Sequence, residues 1–323
     1  MSKIKKLPFV SVCTPTFNRR PFIPYLKKCF LNQTYPQERM EWIVVDDGTD
    51  KVKDLLLDIS NLKYFSIEEK MKLGKKRNFM HSKCKGDIIV YMDDDDYYPR
   101  ERVSHAVERL LSDNKALCGG SSEIHVWFHK LKKMIKFGPY SKTHATAGTF
   151  AFKRELLEIT EYNDNASVAE EKQFLKNYTI PFIQLDARKT ILVFSHEQNT
   201  FDKNKLLIDY ENNPTIHNST YTPKDFIEDP ELFDFYTKDI HQELNSYELG
   251  SLKYKPDVIE ESKKIEEIIK QKQIINNKYI VYKNSDGTER PLSLEEIVQY
   301  INNLKQGIKK RNDIIKQLLD KNV

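Results

Sequence analysis

No run of about 18 apolar residues occurs anywhere in this 323-residue chain, so no helix of the sequence is expected to span a bilayer. The opening residues, MSKIKKLPFV, hold no apolar stretch long enough for a secretory leader, which sets the expectation of a cytoplasmic protein. Cysteine is scarce: Cys13, Cys29, Cys84 and Cys118 lie far apart, and no Cys-x-x-Cys pair exists. That spacing excludes a disulfide framework and a cysteine-based zinc site, and leaves four reduced, buried thiols. A large charge of one sign is missing as well. The net charge of +4 comes from 52 basic and 48 acidic residues, mostly interspersed as on a solvated surface. It makes no case for nucleic acid, although a modest basic excess suits a phosphate-bearing substrate. What is present, 39% hydrophobic and 31% charged residues, suits a soluble chain with an ordinary core. The length allows one sizeable α/β domain with an appendage, or two medium domains.

The first half alternates strand and helix patterns. Phe9–Thr14, Trp42–Val45, Leu62–Ser66 and Ile88–Met92 read as short buried strands. Between them Pro21–Leu31, Val52–Ile59 and Leu73–Cys84 read as helices, the last stopped by Gly86. Such alternation with short connections predicts an α/β fold: a mixed, mostly parallel sheet flanked by helices. After Pro99 the spacing predicts a helix to Leu111, strand-like pieces at Glu123–Phe128 and Lys133–Phe137, and a segment Thr146–Phe152. Short helices at Arg154–Ile159 and Val168–Asn177 then precede a strand Thr190–Phe194. We therefore expect one domain over 1–212, with halves of about 1–98 and 99–212, and a mainly helical region over 213–323. In that region Tyr279–Pro291 has the look of a hairpin around Ser285-Asp286-Gly287. Leu294, Ile297, Ile301, Leu304, Ile308, Ile315 and Leu318 follow at heptad-like spacing, interrupted by Arg311. That stripe is expected to bury against the body of the protein or a second copy.

Asp93-Asp94-Asp95-Asp96 follows a buried strand directly. On an extended chain Asp93 and Asp95 would point one way and Asp94 and Asp96 the other. Carboxylates at the carboxyl end of such a strand stand where open α/β sheets bind ligands. Their mutual repulsion is relieved by a divalent cation, and all-oxygen ligands favour Mg2+ or Mn2+. The spaced ligands, glycine and distal glutamate of an EF-type calcium loop are absent. Asp46-Asp47-Gly48-Thr49 also follows a strand, where an aspartate can accept hydrogen bonds from a base or ribose, or simply shape a turn. Gly74-Lys75-Lys76-Arg77-Asn78 opens a helix, a suitable place for anions.

Thr14-Pro15-Thr16-Phe17-Asn18-Arg19, the VVDDGT segment, GKKRN and IIVYMDDDDYY, in this order, resemble the motifs of GT-A fold, family-2-type inverting glycosyltransferases. The resemblance covers roughly Val10 to Thr200. It implies a GT-A, Rossmann-like domain that takes a nucleotide diphosphate sugar, of UDP-glucose or UDP-galactose type, and a hydroxyl-bearing acceptor on protein, glycan or lipid. It places Thr14, Pro15, Thr16, Asn18, Arg19, Asp46 and Asp47 around the donor, with Arg77 and Asn78 on its base or diphosphate. Asp93 and Asp94 would contact ribose or metal, and Asp95, with Asp93 and His196, would hold Mn2+ or Mg2+. The family's base comes from an acidic pair opening a helix, which falls here on Glu170 and Glu171. Ser167-Val168-Ala169-Glu170 also fits a capping box that would occupy Glu170, which makes Glu171 the expected base. Acceptor contacts are expected near Trp127, His144, Ala147, Gly148 and Thr149, with Asn199 and Thr200 in the His196 segment. Two other classes fit parts of the pattern. A sugar-phosphate nucleotidyltransferase shares the carboxylates but usually has a glycine-rich loop after its first strand, and Thr14–Arg19 has no glycine. A non-catalytic sugar-nucleotide-binding scaffold would use the C-terminal helices for a partner.

Overall fold

A computed structural model of the chain describes residues 7–320, except 169–170, 208–209, 211–212, 279–280 and 284–285. Two compact units are present, Met1–Ile259 and Glu260–Val323. The strands of the first are β1 (Val10–Thr16), β2 (Met40–Asp46), β3 (Leu62–Ser66), β4 (Ile88–Tyr91), β5 (Cys118–Gly120), β6 (Ile124–Phe128), β7 (Lys133–Phe137), β8 (Ala151–Lys153), β9 (Phe182–Gln184), β10 (Val193–Ser195) and β11 (Ile216–Asn218). Its helices are α1 (Ile23–Leu31), α2 (Leu73–Lys83), α3 (Arg102–Ser112), the single turn α4 (Glu171–Phe174), α5 (Pro230–Asp234) and α6 (Ile240–Ser246); α7 (Pro256–Lys278) begins at its end.

Seven strands form the main sheet in the order β3-β2-β1-β4-β8-β5-β9. The first four are parallel, whereas β8 runs antiparallel between β4 and β5. This is the mixed, mostly parallel α/β class that the alternation predicts. Both faces are covered, as the apolar runs require. Val12, Trp42, Val44 and Val90 enter one cluster with residues of α1 and α3, while Cys13, Ile43, Val45, Ile89 and Tyr91 enter the other beneath α2. The strand order reverses between β1 and β4. The chain moves outward from β1 to β3, then returns through α2 to the opposite side of β1, which opens a crevice at the carboxyl ends of β1 and β4.

A second sheet, β10-β6-β7-β11, stands on the later half of this unit. The unit also extends past the expected boundary at 212. Phe226, Leu232, Phe235, Tyr236, Ile240 and Leu244 join the larger core cluster, and Tyr236 donates its hydroxyl to the Asp96 carbonyl at 2.9 Å. Three predicted helices are reduced, Arg154–Ile159 to a 3-10 helix at Arg154–Glu158. Val52–Ile59 holds only a 3-10 turn at Lys53–Leu56, and the segment around Val168–Asn177 keeps one α-turn before Lys176, Asn177 and Tyr178 adopt positive φ.

In the second unit β12 (Val281–Lys283) pairs antiparallel with β13 (Glu289–Pro291), in the place of the expected hairpin, and α8 (Leu294–Asp320) runs unbroken. No described helix is long and apolar enough to cross a membrane.

Candidate active site

The crevice between β1 and β4 is a cavity of about 310 Å³. After β1 the chain turns at Asn18, whose φ of 52° is a left-handed value that asparagine tolerates. The Asn18 side chain holds this turn, accepting from the Asp50 N–H at 3.0 Å and donating to the Leu249 carbonyl at 3.1 Å. Arg19 is thereby driven inward until 2% of it remains exposed. Its guanidinium donates to the carbonyls of Gln198 (2.6 Å) and Gly250 (3.1 Å), and lies 3.6 Å from Asp94 and 3.7 Å from Asp95.

The aspartate run does not continue the strand. β4 ends at Tyr91 and the chain turns at Asp94–Asp95, so the expected split onto two sides is overturned and all four aspartates line the cavity. Asp93 meets the Arg77 guanidinium at 3.5 Å, and that guanidinium also lies 4.4 Å from the centre of the Tyr91 ring. Gly148 passes close behind, where an added Cβ would come within 3.1 Å of Asp93 Oδ2. Asp96 accepts from the Phe194 N–H at 3.1 Å. Burial pushes Asp94 and Asp96 above the usual carboxylate range. Burial acts on Asp95 in the same sense, but the His196 hydrogen bond and the Arg19 charge outweigh it, so Asp95 is held ionised. His196 stands 3.3 Å from Asp95 Oδ2, and burial lowers it to about 4 against the pull of Asp95, which keeps the ring neutral. It lines a different, smaller cavity, not the one lined by the aspartates.

Several expected site residues are used internally. The Thr14 hydroxyl donates to the Met92 carbonyl (2.7 Å) and accepts from Trp42 Nε1 (2.9 Å). Asp46 is fully buried, with its oxygens taken by the N–H groups of Gly48 and Val52 and by the Tyr64 hydroxyl. Asp47 forms a buried ion pair with Lys76 and accepts from the Met71 N–H at 2.6 Å. Asn78 grips the Tyr162 backbone at both its N–H and its carbonyl (2.9 and 2.8 Å). Thr149 accepts from the Ser121 N–H at 3.0 Å, while Trp127 lies on β6 in the second sheet. None of these six lines the cavity, whereas Pro15, Thr16, Arg19, Arg77, Ala147 and Thr200 do. His144 packs instead against the Tyr140 and Tyr178 rings, at 5.0 and 5.4 Å between centroids. Asn199 lies 2.7 Å from His196 Nε2 and 3.5 Å from Asp95 Oδ2.

Glu171 opens α4 and is half-buried; it follows Ser167 and Val168, which do line the cavity. Glu170 lies outside the described residues. The motifs gave no sign of Lys70, Lys203, Lys255 or Asp257, which also line the cavity. With Arg19, Lys76 and Arg77 they bring six cations and a fifth carboxylate to one cavity. Among the described residues no three His, Cys, Asp or Glu side chains are grouped to enclose a metal by themselves. The expected set of Asp93, Asp95 and His196 is therefore not brought together as a three-ligand group.

Residues 11–160 match the family model described as Glycosyl transferase family 2. Over these residues the chain is similar to family 2 glycosyltransferases. The probable glycosyltransferase YdaM of Bacillus subtilis strain 168 is 31% identical over 121 residues, 35% of this chain and 29% of the relative. The poly(ribitol-phosphate) beta-N-acetylglucosaminyltransferase TarS of Staphylococcus aureus is 31% identical over 101 residues, 30% of this chain and 18% of TarS. The match therefore spans less than a third of either relative. Among solved structures, the mannosyltransferase PcManGT of Pyrobaculum calidifontis, in complex with GDP-Man and Mn2+, superposes with a TM-score of 0.48 at 19% identity, over 60% of this chain and 59% of that one. The matched segment takes in β2–β4, all of β1 but Val10, the aspartate run and Ala147–Thr149, and it ends before Glu171, His196 and Lys255.

Proposed function

We propose that the chain is an inverting glycosyltransferase that uses Mn2+ or Mg2+ and transfers a hexosyl group from a UDP-sugar, of glucose or galactose type, to an acceptor hydroxyl on protein, glycan or lipid. The observation that carries this reading is the cavity at the strand-order reversal. Asp93–Asp96 and six cations line it together, with Arg19 and Arg77 set against the aspartates, a charge pattern that suits a metal-bound diphosphate. Sequence relatives named as glycosyltransferases support the reaction class.

Asp95 is the residue to hold the cation, with Asp93 beside it; when bound, the cation neutralises the diphosphate as leaving group. Arg19 and Arg77 add positive charge beside those carboxylates. His196 faces Asp95 from a separate cavity, so we assign it to orienting Asp95 and not to ligation. Pro15 and Thr16 flank the donor at the end of β1. Glu171 takes the proton of the acceptor hydroxyl as it attacks from the face opposite the diphosphate, which inverts the anomeric carbon. The test is nucleoside diphosphate release from UDP- and GDP-sugars with Mn2+, with and without EDTA. Release that needs metal supports the reading; binding without hydrolysis or transfer for any donor and acceptor would sink it. Glu171→Gln should keep donor affinity while turnover falls by two or more orders of magnitude, on the order expected for loss of a general base. Normal turnover would remove Glu171 from that role.

We also infer that α8 pairs with α8 of a second copy. Ile301, Leu304, Ile308 and Ile315 lie at heptad spacing and are 44–58% exposed. Light scattering of the full chain should give a dimer mass that Leu304→Glu with Ile308→Lys reduces to a monomer; a monomeric wild type would refute the pairing.

A further inference from the structure

The segment from Leu244 to Val258 lies far beyond the family 2 match, yet it is stitched to the loops around the cavity. Leu249 and Gly250 accept from Asn18 and Arg19, both at 3.1 Å. Leu244 accepts from the Gln198 side chain at 3.2 Å, and the Tyr247 hydroxyl donates to Asp50 at 2.9 Å. The approach at Gly250 leaves no room for a side chain, since a Cβ there would lie 1.9 Å from Gln198 Oε1 and 3.0 Å from the Asn18 carbonyl. Farther along, Asp257 forms an ion pair with Lys70 and accepts from Ser167 Oγ at 3.1 Å, joining the loop before α2 to the segment before α4.

Between these anchors Lys255 points into the cavity and is 6% exposed. Its Nζ donates to Thr200 Oγ1 at 3.3 Å and sits 6.0 Å from the centre of the Phe17 ring. The other deeply buried cations of this cavity are answered by carboxylates: Lys76 by Asp47, Arg77 by Asp93, and Arg19 by Asp94 and Asp95. Lys255 has no carboxylate within ion-pair distance among the described residues. A buried ammonium has three donors and a large desolvation cost, and one hydroxyl does not offset it. An anion entering the cavity does.

We propose that Lys255 is a ligand of the donor's diphosphate, donating to a non-bridging phosphate oxygen, so that the donor site is completed by a segment outside the family 2 match. This rests on the nucleotide-sugar reading above. It also explains why the segment is fastened by so many bonds: a lysine on a loose strand would lose that pre-organisation.

The test is calorimetric titration of UDP, GDP and pyrophosphate, each with Mn2+, and of uridine, into the full-length wild type, Lys255→Met, Lys255→Arg and the exposed control Lys253→Met. Removal of one charge-assisted hydrogen bond should weaken the diphosphates and pyrophosphate by roughly 10- to 100-fold and leave uridine unchanged. Lys255→Arg should recover part of the loss, and Lys253→Met should match the wild type. Without ligand, Lys255→Met should melt higher than the wild type, because it deletes a buried charge that Thr200 and the more distant Asp94 and Asp95 compensate only in part. Gain in melting temperature together with loss of diphosphate affinity is a pair that a structural lysine does not produce. Wild-type binding of a diphosphate with an equal Kd in Lys255→Met would overturn this inference and leave the nucleotide-sugar reading standing. A Lys255→Met chain that melts lower or does not fold would overturn it too, by making the residue structural. Failure of the wild type to bind any of the diphosphates would overturn the nucleotide-sugar reading itself.

Discussion

Asp46-Asp47 and Asp93–Asp96 follow two strands that flank the same central strand, and in sequence both are acidic loops closing a buried strand. Their fates differ. Asp46 and Asp47 are answered from within, by N–H groups of their own loop, by Tyr64, by the Met71 N–H and by Lys76. The second run meets Arg19, Arg77, His196 and the Phe194 N–H, groups from distant segments, and it faces a cavity. The difference follows from where each strand stands. The β2 loop leads onward to β3 in the same direction, so its side chains are available to pin the turn. The β4 loop lies at the reversal of strand order and faces the cavity there. An acidic cluster is therefore structural or functional according to which groups reach it.

The largest expected effect lies in the second run. Asp95→Asn should reduce metal-dependent turnover by roughly three orders of magnitude, as for loss of a transition-state charge stabiliser, with little change in melting temperature. Residual activity within tenfold of the wild type would move the cation site elsewhere. The first run should respond in the opposite way. Asp47→Ala strands the Lys76 ammonium, which is only 6% exposed in its side chain, and removing one partner of a buried pair costs about 3–5 kcal/mol. Denaturant titration measures the loss, and Lys76→Met added to Asp47→Ala should return most of it. An unchanged midpoint for Asp47→Ala would mean that water reaches the pair and that the two loops are less different than their burial indicates. Asp46→Asn is milder. The amide keeps one acceptor for Gly48 or Val52 but turns a donor toward the other, for a loss of about 1–3 kcal/mol and no change in turnover per folded molecule.

How much of this was legible depended on distance along the chain. β1, β2 and β4 could be read because each is rich in apolar, β-branched residues and buried on both faces, and the crevice follows once their order is inferred. The partners of Asp46 and Asp47 could not, because Tyr64 and Lys76 meet them only after the strands pair. The alternation of the aspartates failed because it assumed an extended chain where the backbone turns. β5, β9 and β11 are three residues each, too short for a period-two pattern to appear. Lys255 belongs to no motif. Its place in the cavity is decided by hydrogen bonds from Asn18 and Arg19 to a segment more than two hundred residues away.

The smallest effect is expected inside the conspicuous run itself. Asp96 lines the cavity, yet its Oδ1 accepts the Phe194 N–H at 3.1 Å, which ties the turn to β10. Its own carbonyl accepts from Tyr236 at 2.9 Å, so the backbone there is fixed independently of the side chain. An asparagine amide can supply the same acceptor oxygen to Phe194. Asp96→Asn should therefore change stability by less than about 1 kcal/mol and turnover by no more than a few-fold, beside the collapse predicted for Asp95→Asn one residue earlier. A loss comparable to that of Asp95→Asn would mean that Asp96 shares the cation. The division would then run between the two loops alone, and not also between neighbouring carboxylates of the same run.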